Sequence, residues 1–126
     1  MGLGPEHKQL LRKAHRTLSA ARALRRKGYA EDAVSRAYYA MFHAARAFLI
    51  RRGILRHKHS AVIAAFGQTA VRSGRVSGAT FRLLTRVFET RNTADHDAAW
   101  EPAPEEVDEV LSEAARFIKA VERVMK

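Results

Sequence analysis

Residues 30–52 read AEDAVSRAYYAMFHAARAFLIRR, and this stretch decides the fold. Ala33, Ala37, Ala40 or Met41, Ala44 and Phe48 recur at three- and four-residue steps, the spacing that lines side chains along one face of an α-helix. Most of them are small, so a neighbouring helix can come close. Glu31 and Asp32 fall in the first turn, where the helix dipole favours negative charge, and Gly53 follows as a stop. The stretch predicts a helix from about Ala30 to Arg52.

Upstream lies its packing partner. A helix is predicted from about Pro5 to Lys27, with proline suited to the first turn and Gly28 to the position after the last. Leu10, Ala14, Leu18, Ala21 and Leu24 form its apolar face, and Arg22, Arg25, Arg26 and Lys27 crowd its end. The two helices read as a long antiparallel hairpin.

Downstream, Gly53 to His59 is a short basic connection, and Ser60 suits the N-cap of a shorter helix ending near Ser73. A further helix runs from about Ala79 into the low 90s, with Phe81, Leu84, Val87 and Phe88 inward. Pro102 and Pro104 make a loop of Trp100 to Pro104, and Trp100 is expected to cover that end. The last helix spans about Glu105 to Met125, with Val107, Val110 or Leu111, Ala114, Phe117 or Ile118 and Val121 on its core face. Nothing reads as a strand. The expected fold is all-α, a four-to-five helix bundle forming a single domain over residues 1–126.

That length suits one core, and 47% apolar residues favour a packed globule. The absence of cysteine excludes disulfides and thiolate chemistry and fits a cytoplasmic location. The opening Met1-Gly2-Leu3-Gly4-Pro5 begins no leader of secretory type, and no apolar run suits a membrane span. Charge is uneven. Residues 1–60 carry 14 Lys and Arg against 3 Asp and Glu, whereas residues 101–126 carry 4 against 7. A cationic body of this kind suits an anionic partner, RNA above all; the alternatives are a solvated surface or an acidic protein.

Phosphate loops, dinucleotide fingerprints, nucleophile elbows and His-Glu-x-x-His pairs do not occur, so no cofactor is expected. His57 and His59 lie two apart with no third ligand evident, and no metal site is expected.

Arg91-Asn92-Thr93-Ala94-Asp95-His96 stands out for chemistry. On an unbroken helix Arg91 and His96 differ in direction by about 140°. They converge if the helix loosens or ends between them, or if two copies of the segment face each other in a dimer. Asn92 and His96 share a face. Arg91 and Asp95 are also four apart, and the plainer reading is an ion pair at a helix end with a solvated histidine. On the second helix Arg36, Tyr39 and His43 share a face as candidate substrate contacts. The other reading pairs Arg36 with Asp32 and half-buries Tyr39 and His43. Tyr38 and Phe42 read as core, and His59 as holding a helix start.

The run Ser35-Arg36-Ala37-Tyr38-Tyr39-Ala40-Met41-Phe42-His43-Ala44-Ala45-Arg46-Ala47 resembles the second-helix signature of small prokaryotic HEPN proteins. Lys58 to Ile63, Phe66-Gly67, Thr90 to Asp95 and Ala114 to Ile118 extend the likeness over nearly the whole chain. The resemblance implies a helical bundle with a long antiparallel pair, often dimeric. It further implies a metal-independent endoribonuclease with an Arg-x(4–6)-His motif in a cleft between subunits, commonly a toxin beside a minimal nucleotidyltransferase antitoxin or part of a defence system. Carried over, Arg91 and His96 become the catalytic pair, with Asn92 as the polar residue after the arginine. The small branch often has tyrosine where His96 stands, and here histidine restores the motif. Nucleotidyltransferase-paired members commonly carry a tyrosine two residues later that accepts AMP; this chain has Ala98 there. The rival reading is a non-catalytic nucleotide- or RNA-binding partner of a nucleotidyltransferase.

Overall fold

The sharp turns that close the first two helices are fixed by glycine. Gly28 and Gly53 adopt φ of +88° and +77°, a left-handed region that residues with a Cβ rarely enter. At the first turn the Gly28 and Tyr29 amides donate to the Arg25 and Leu24 carbonyls. At the second, Gly53 and Ile54 donate to Ile50 and Leu49. Both turns therefore satisfy carbonyls that a helix end leaves open.

The structure is a computed structural model that describes residues 5–125. The residues Met1 to Gly4, part of the segment expected to begin no leader, lie outside the described residues. Helix α1 spans Glu6–Arg26, α2 Ala30–Arg51, α3 His59–Phe66, α4 Gly78–His96 and α5 Pro104–Met125. A π-helical turn, Gly67–Val71, extends α3. The described residues contain no strand, and the all-α bundle expected from the sequence is the fold observed.

α2 is the central element, contacting α1, α3, α4 and α5. Its composition explains why. Ala33, Ala37, Ala40, Ala44, Ala45 and Ala47 are fully buried, so helices can approach on several sides. Beyond this alanine surface the larger core side chains fill in: Phe66 lies with its ring centroid 5.4 Å from both Phe48 of α2 and Phe117 of α5. An ion pair and a hydrogen bond join α5 antiparallel to α1, Arg25–Asp108 at 2.9 Å and His15 Nε2–Glu122 at 2.7 Å. A third contact joins Arg86 of α4 to Glu113 of α5, a buried carboxylate inside an otherwise apolar face.

Three local expectations need correction. Ser60 does not cap α3: the helix starts at His59, Lys58 holds the cap position, and no side-chain cap bond forms. The capping serine is Ser77, whose Oγ accepts the Thr80 amide at 3.0 Å and starts α4. α4 also runs past the low 90s to His96, with Ala94 buried near its end. Phe81 and Phe88 are half-buried rather than enclosed, and Trp100 packs against the core from the loop. Among the described residues no helix is long and apolar enough to cross a membrane.

Candidate functional site

Because α2 is covered on most sides, its one open stripe defines a place. Arg36 is exposed and Tyr39, His43 and Arg46 are half-buried, at steps of three and four along the helix. The Arg36 guanidinium lies 5.0 Å from the Tyr39 ring centroid. The Tyr39 and His43 rings are 6.4 Å apart. Arg36 forms no ion pair with Asp32: its guanidinium sits on the aromatic ring instead, one turn towards the C-terminus.

α4 brings Arg91 to this stripe. Its Nη2 donates a hydrogen bond of 3.2 Å to the Tyr39 hydroxyl. The guanidinium carbon lies 5.3 Å from the Tyr39 ring centroid and 5.4 Å from that of Tyr38. Its Nε is 2.8 Å from the Asp95 carboxylate, a charge contact without the alignment of a hydrogen bond. With 19% of its side chain exposed, Arg91 is a fixed cation at the seam of α2 and α4.

Behind Arg91 lies a histidine held by aromatic rings. The Tyr38 hydroxyl and His59 Nδ1 are 2.7 Å apart, and the His59 ring stacks on Phe42 with centroids 4.3 Å apart. Burial lowers the proton affinity of His59, and the Arg91 charge lowers it further. Burial likewise pushes the Tyr38 hydroxyl upward, an effect Arg91 partly offsets. An imidazole and a phenol, both shifted towards their neutral forms, therefore support the ring wall on which Arg91 rests. Tyr38 and Phe42 are core, as their spacing implied, whereas the hydrogen bond between Tyr38 and His59 was not legible: the two are 21 residues apart.

His43 faces a different environment. Its pKa is lowered to about 4, first by burial and then by Lys13, Arg46 and Arg36. Arg46 and Lys13 were missed in reading the sequence. For Arg46 the signal was present, since it continues the Arg36, Tyr39, His43 spacing by one more step. Lys13 lies on α1 and nothing local points to it.

His96 and Asn92 lie at the far end of α4. His96 is exposed, with no side-chain hydrogen bond or ion pair among the described residues, and Asn92 is half-buried. The Asp97 amide donates to the Thr93 carbonyl at 2.9 Å, so helical bonding persists to the end of the segment. The helix does not loosen between Arg91 and His96. The two side chains leave it about 140° apart, and one chain does not bring them together. Arg91 and Asp95 do form the ion pair that four-residue spacing allows. Among the described residues no group of three or more His, Cys, Asp or Glu is placed to hold a metal ion.

A long helical hairpin, three further helices and a guanidinium seated on two tyrosines where the second and fourth helices meet define an all-α bundle with a polar seam. The HEPN domain family matches residues 7–124, and the chain belongs to that family. A Methanocaldococcus jannaschii protein named "Putative toxin MJ0605" is 34% identical over 121 residues, covering 96% of this chain and 90% of that protein. A second protein of the same organism, named "Putative toxin MJ0142", is 29% identical over 95% of this chain and 82% of its own length. A Thermotoga maritima protein named "UPF0332 protein" is 33% identical over 91% of this chain and 87% of its own length.

Proposed function

We propose that the chain is a metal-independent endoribonuclease of toxin or defence type, working as a homodimer in which Arg91 and His96 act on one scissile phosphate. The observation that carries this reading is the placement of Arg91: a half-buried guanidinium, oriented by the Tyr39 hydroxyl, on the same helix end as an exposed imidazole. The relatives named as toxins support the biological setting. A minimal nucleotidyltransferase is the proposed antitoxin, with Ala98 removing the usual AMP acceptor.

The chemistry follows from RNA itself. The His96 imidazole takes the proton of the 2′-hydroxyl as general base. The 2′-oxygen attacks phosphorus, the bond to the 5′-oxygen breaks, and the leaving oxygen is protonated by solvent. The products are a 2′,3′-cyclic phosphate and a free 5′-hydroxyl. Arg91 stabilises the charge that builds on the phosphoryl oxygens with paired N–H donors. Asn92, one helical turn from His96, orients the imidazole or donates to the phosphate. Arg36, Tyr39 and His43 form the substrate wall. Because about 140° separates Arg91 from His96 in one helix, a second copy is required to supply the other member of the pair.

The test is incubation of labelled RNA with a chelator present, comparing the parent with Arg91→Ala and His96→Ala. Each variant is expected to stay folded and to lose at least about 100-fold in cleavage. Cleavage of a substrate with 2′-deoxyribose at the scissile position would overturn the mechanism. A non-catalytic RNA- or nucleotide-binding role is the second reading. It is favoured by the Arg91–Asp95 ion pair, which already satisfies part of the guanidinium.

A further inference from the structure

We propose that the open stripe of α2, Arg36–Tyr39–His43–Arg46, joined by Lys13 of α1, is a track that binds the phosphodiester backbone of single-stranded RNA and leads it to Arg91. The proposal rests on the reading of RNA as substrate and adds two residues, Lys13 and Arg46, with the part of the ligand that they hold.

Geometry comes first. Ten residues separate Arg36 from Arg46, about 15 Å along the helix axis. The stripe lies between α1, whose Lys13 charge acts on His43, and α4, which contributes Arg91 beside Tyr39. It is the part of α2 that the bundle leaves open, since the remaining faces are covered by alanine-lined contacts.

Charge comes second. Arg25, Arg86 and Arg91 each meet a carboxylate. Among the described residues Lys13, Arg36 and Arg46 form no ion pair. All three instead act on one histidine, each opposing its protonation. Three like charges acting on one imidazole repel one another unless an anion lies among them. A chain of phosphates offsets the repulsion along the whole stripe, as a single small anion does not.

The occupant is single-stranded because the stripe offers a stacking plane beside its charges. The Tyr39 ring already carries the Arg36 and Arg91 guanidinium groups, and the exposed Arg36 plane is what meets unpaired bases, which a duplex hides in its stack. A second copy of the chain is the wrong occupant for this stripe: a two-fold contact there would set the same cations against themselves. The dimer axis of the proposed nuclease therefore runs beyond Arg91, at the His96 end of α4, and leaves the track free.

The experiment uses the whole chain carrying His96→Ala, so that binding is read without cleavage. Fluorescence anisotropy with an end-labelled single-stranded RNA dodecamer of mixed sequence is followed from 50 to 200 mM salt. Lys13→Gln and Arg46→Gln are each expected to weaken binding several-fold and to lower the slope of log affinity against log salt by about 0.7. Arg46→Lys, which keeps the charge, should keep the slope. Lys119→Gln, on the exposed face of α5, should match the parent. Unchanged affinity and slope in both Gln variants would overturn the track even if the parent binds RNA. Equal affinity for a duplex of the same length would also overturn it. So would retention of polyglutamate with no RNA bound, which would mark an acidic protein as the occupant. Failure of the cleavage chemistry alone, with these binding losses present, would leave the track standing.

Discussion

The Tyr39 hydroxyl accepts a hydrogen bond from Arg91 across 3.2 Å, joining residues 52 positions apart and tying α2 to α4. The ring of the same tyrosine lies 5.3 Å from the Arg91 guanidinium carbon and 5.0 Å from that of Arg36. One side chain thus orients two cations. The contact separates two kinds of support, directional from the hydroxyl and diffuse from the ring.

Tyr39→Phe separates them experimentally. The ring remains, so folding should change by no more than about 1 kcal/mol, the usual worth of one hydrogen bond. Orientation of the guanidinium is lost, and cleavage of RNA is expected to fall about tenfold through kcat rather than KM. Chemical denaturation and steady-state kinetics on one preparation check both halves. A variant that binds and cleaves like the parent would show that Arg91 needs no orientation from Tyr39.

How much of this was legible beforehand depends on distance along the chain. The hairpin was readable because the alanine spacing of α2 and the stops at Gly28 and Gly53 are local signals. The extension of α4 to His96 was not, since nothing local signals that Ala94 is buried near its end. Arg36, Tyr39 and His43 were readable as one face by counting threes and fours. Which of them Arg91 touches was not, because that choice is made by packing between α2 and α4. His59 appeared as a helix start; only the folded chain sets it beside Tyr38 and Phe42.

Glu113 and Arg86 make an asymmetric pair, with 4% and 56% of their side chains exposed. Removing the arginine leaves a carboxylate enclosed without its partner, whereas removing the glutamate leaves a cation that water can reach. Arg86→Ala is therefore expected to cost about 3 kcal/mol of stability. Glu113→Gln should cost clearly less, because the buried charge goes with the substitution. Urea denaturation of the two variants measures the difference, and equal losses would contradict the asymmetry.

His43 predicts how stability changes with acid. Its pKa in the folded chain is about 4, held down by burial and then by Lys13, Arg46 and Arg36. In the unfolded chain an imidazole titrates near 6.5. Between these values the unfolded state takes up a proton that the folded state refuses, so stability falls as pH falls. The contribution is complete above about pH 6.5 and disappears progressively towards pH 4. His59, lowered by burial and Arg91, acts in the same direction. Thermal melts should therefore shift downward across this window, and His43→Asn should flatten the shift. Arg46→Gln should raise the His43 midpoint, which NMR titration of the ring protons reads directly. A His43 midpoint near 6.5 in the parent would refute both the burial and the charge argument.

Complementation tests whether the active site spans two subunits. Suppose each site combines Arg91 of one copy with His96 of the other. Arg91→Ala homodimers and His96→Ala homodimers then contain no intact site. A mixed dimer contains one, because the His96→Ala copy supplies the arginine and the Arg91→Ala copy the imidazole. Its second site lacks both. Equal amounts, exchanged at random, give half mixed dimers with half the sites each, so about a quarter of parental activity should return. A site confined to one chain makes the opposite demand: each copy then lacks one of its own pair, and mixing restores nothing. The unbroken helix from Gly78 to His96 is what favours the first outcome, since it keeps the two side chains of one copy on different faces. Cleavage assays on the mixture after subunit exchange, with each variant alone as baseline, decide between them.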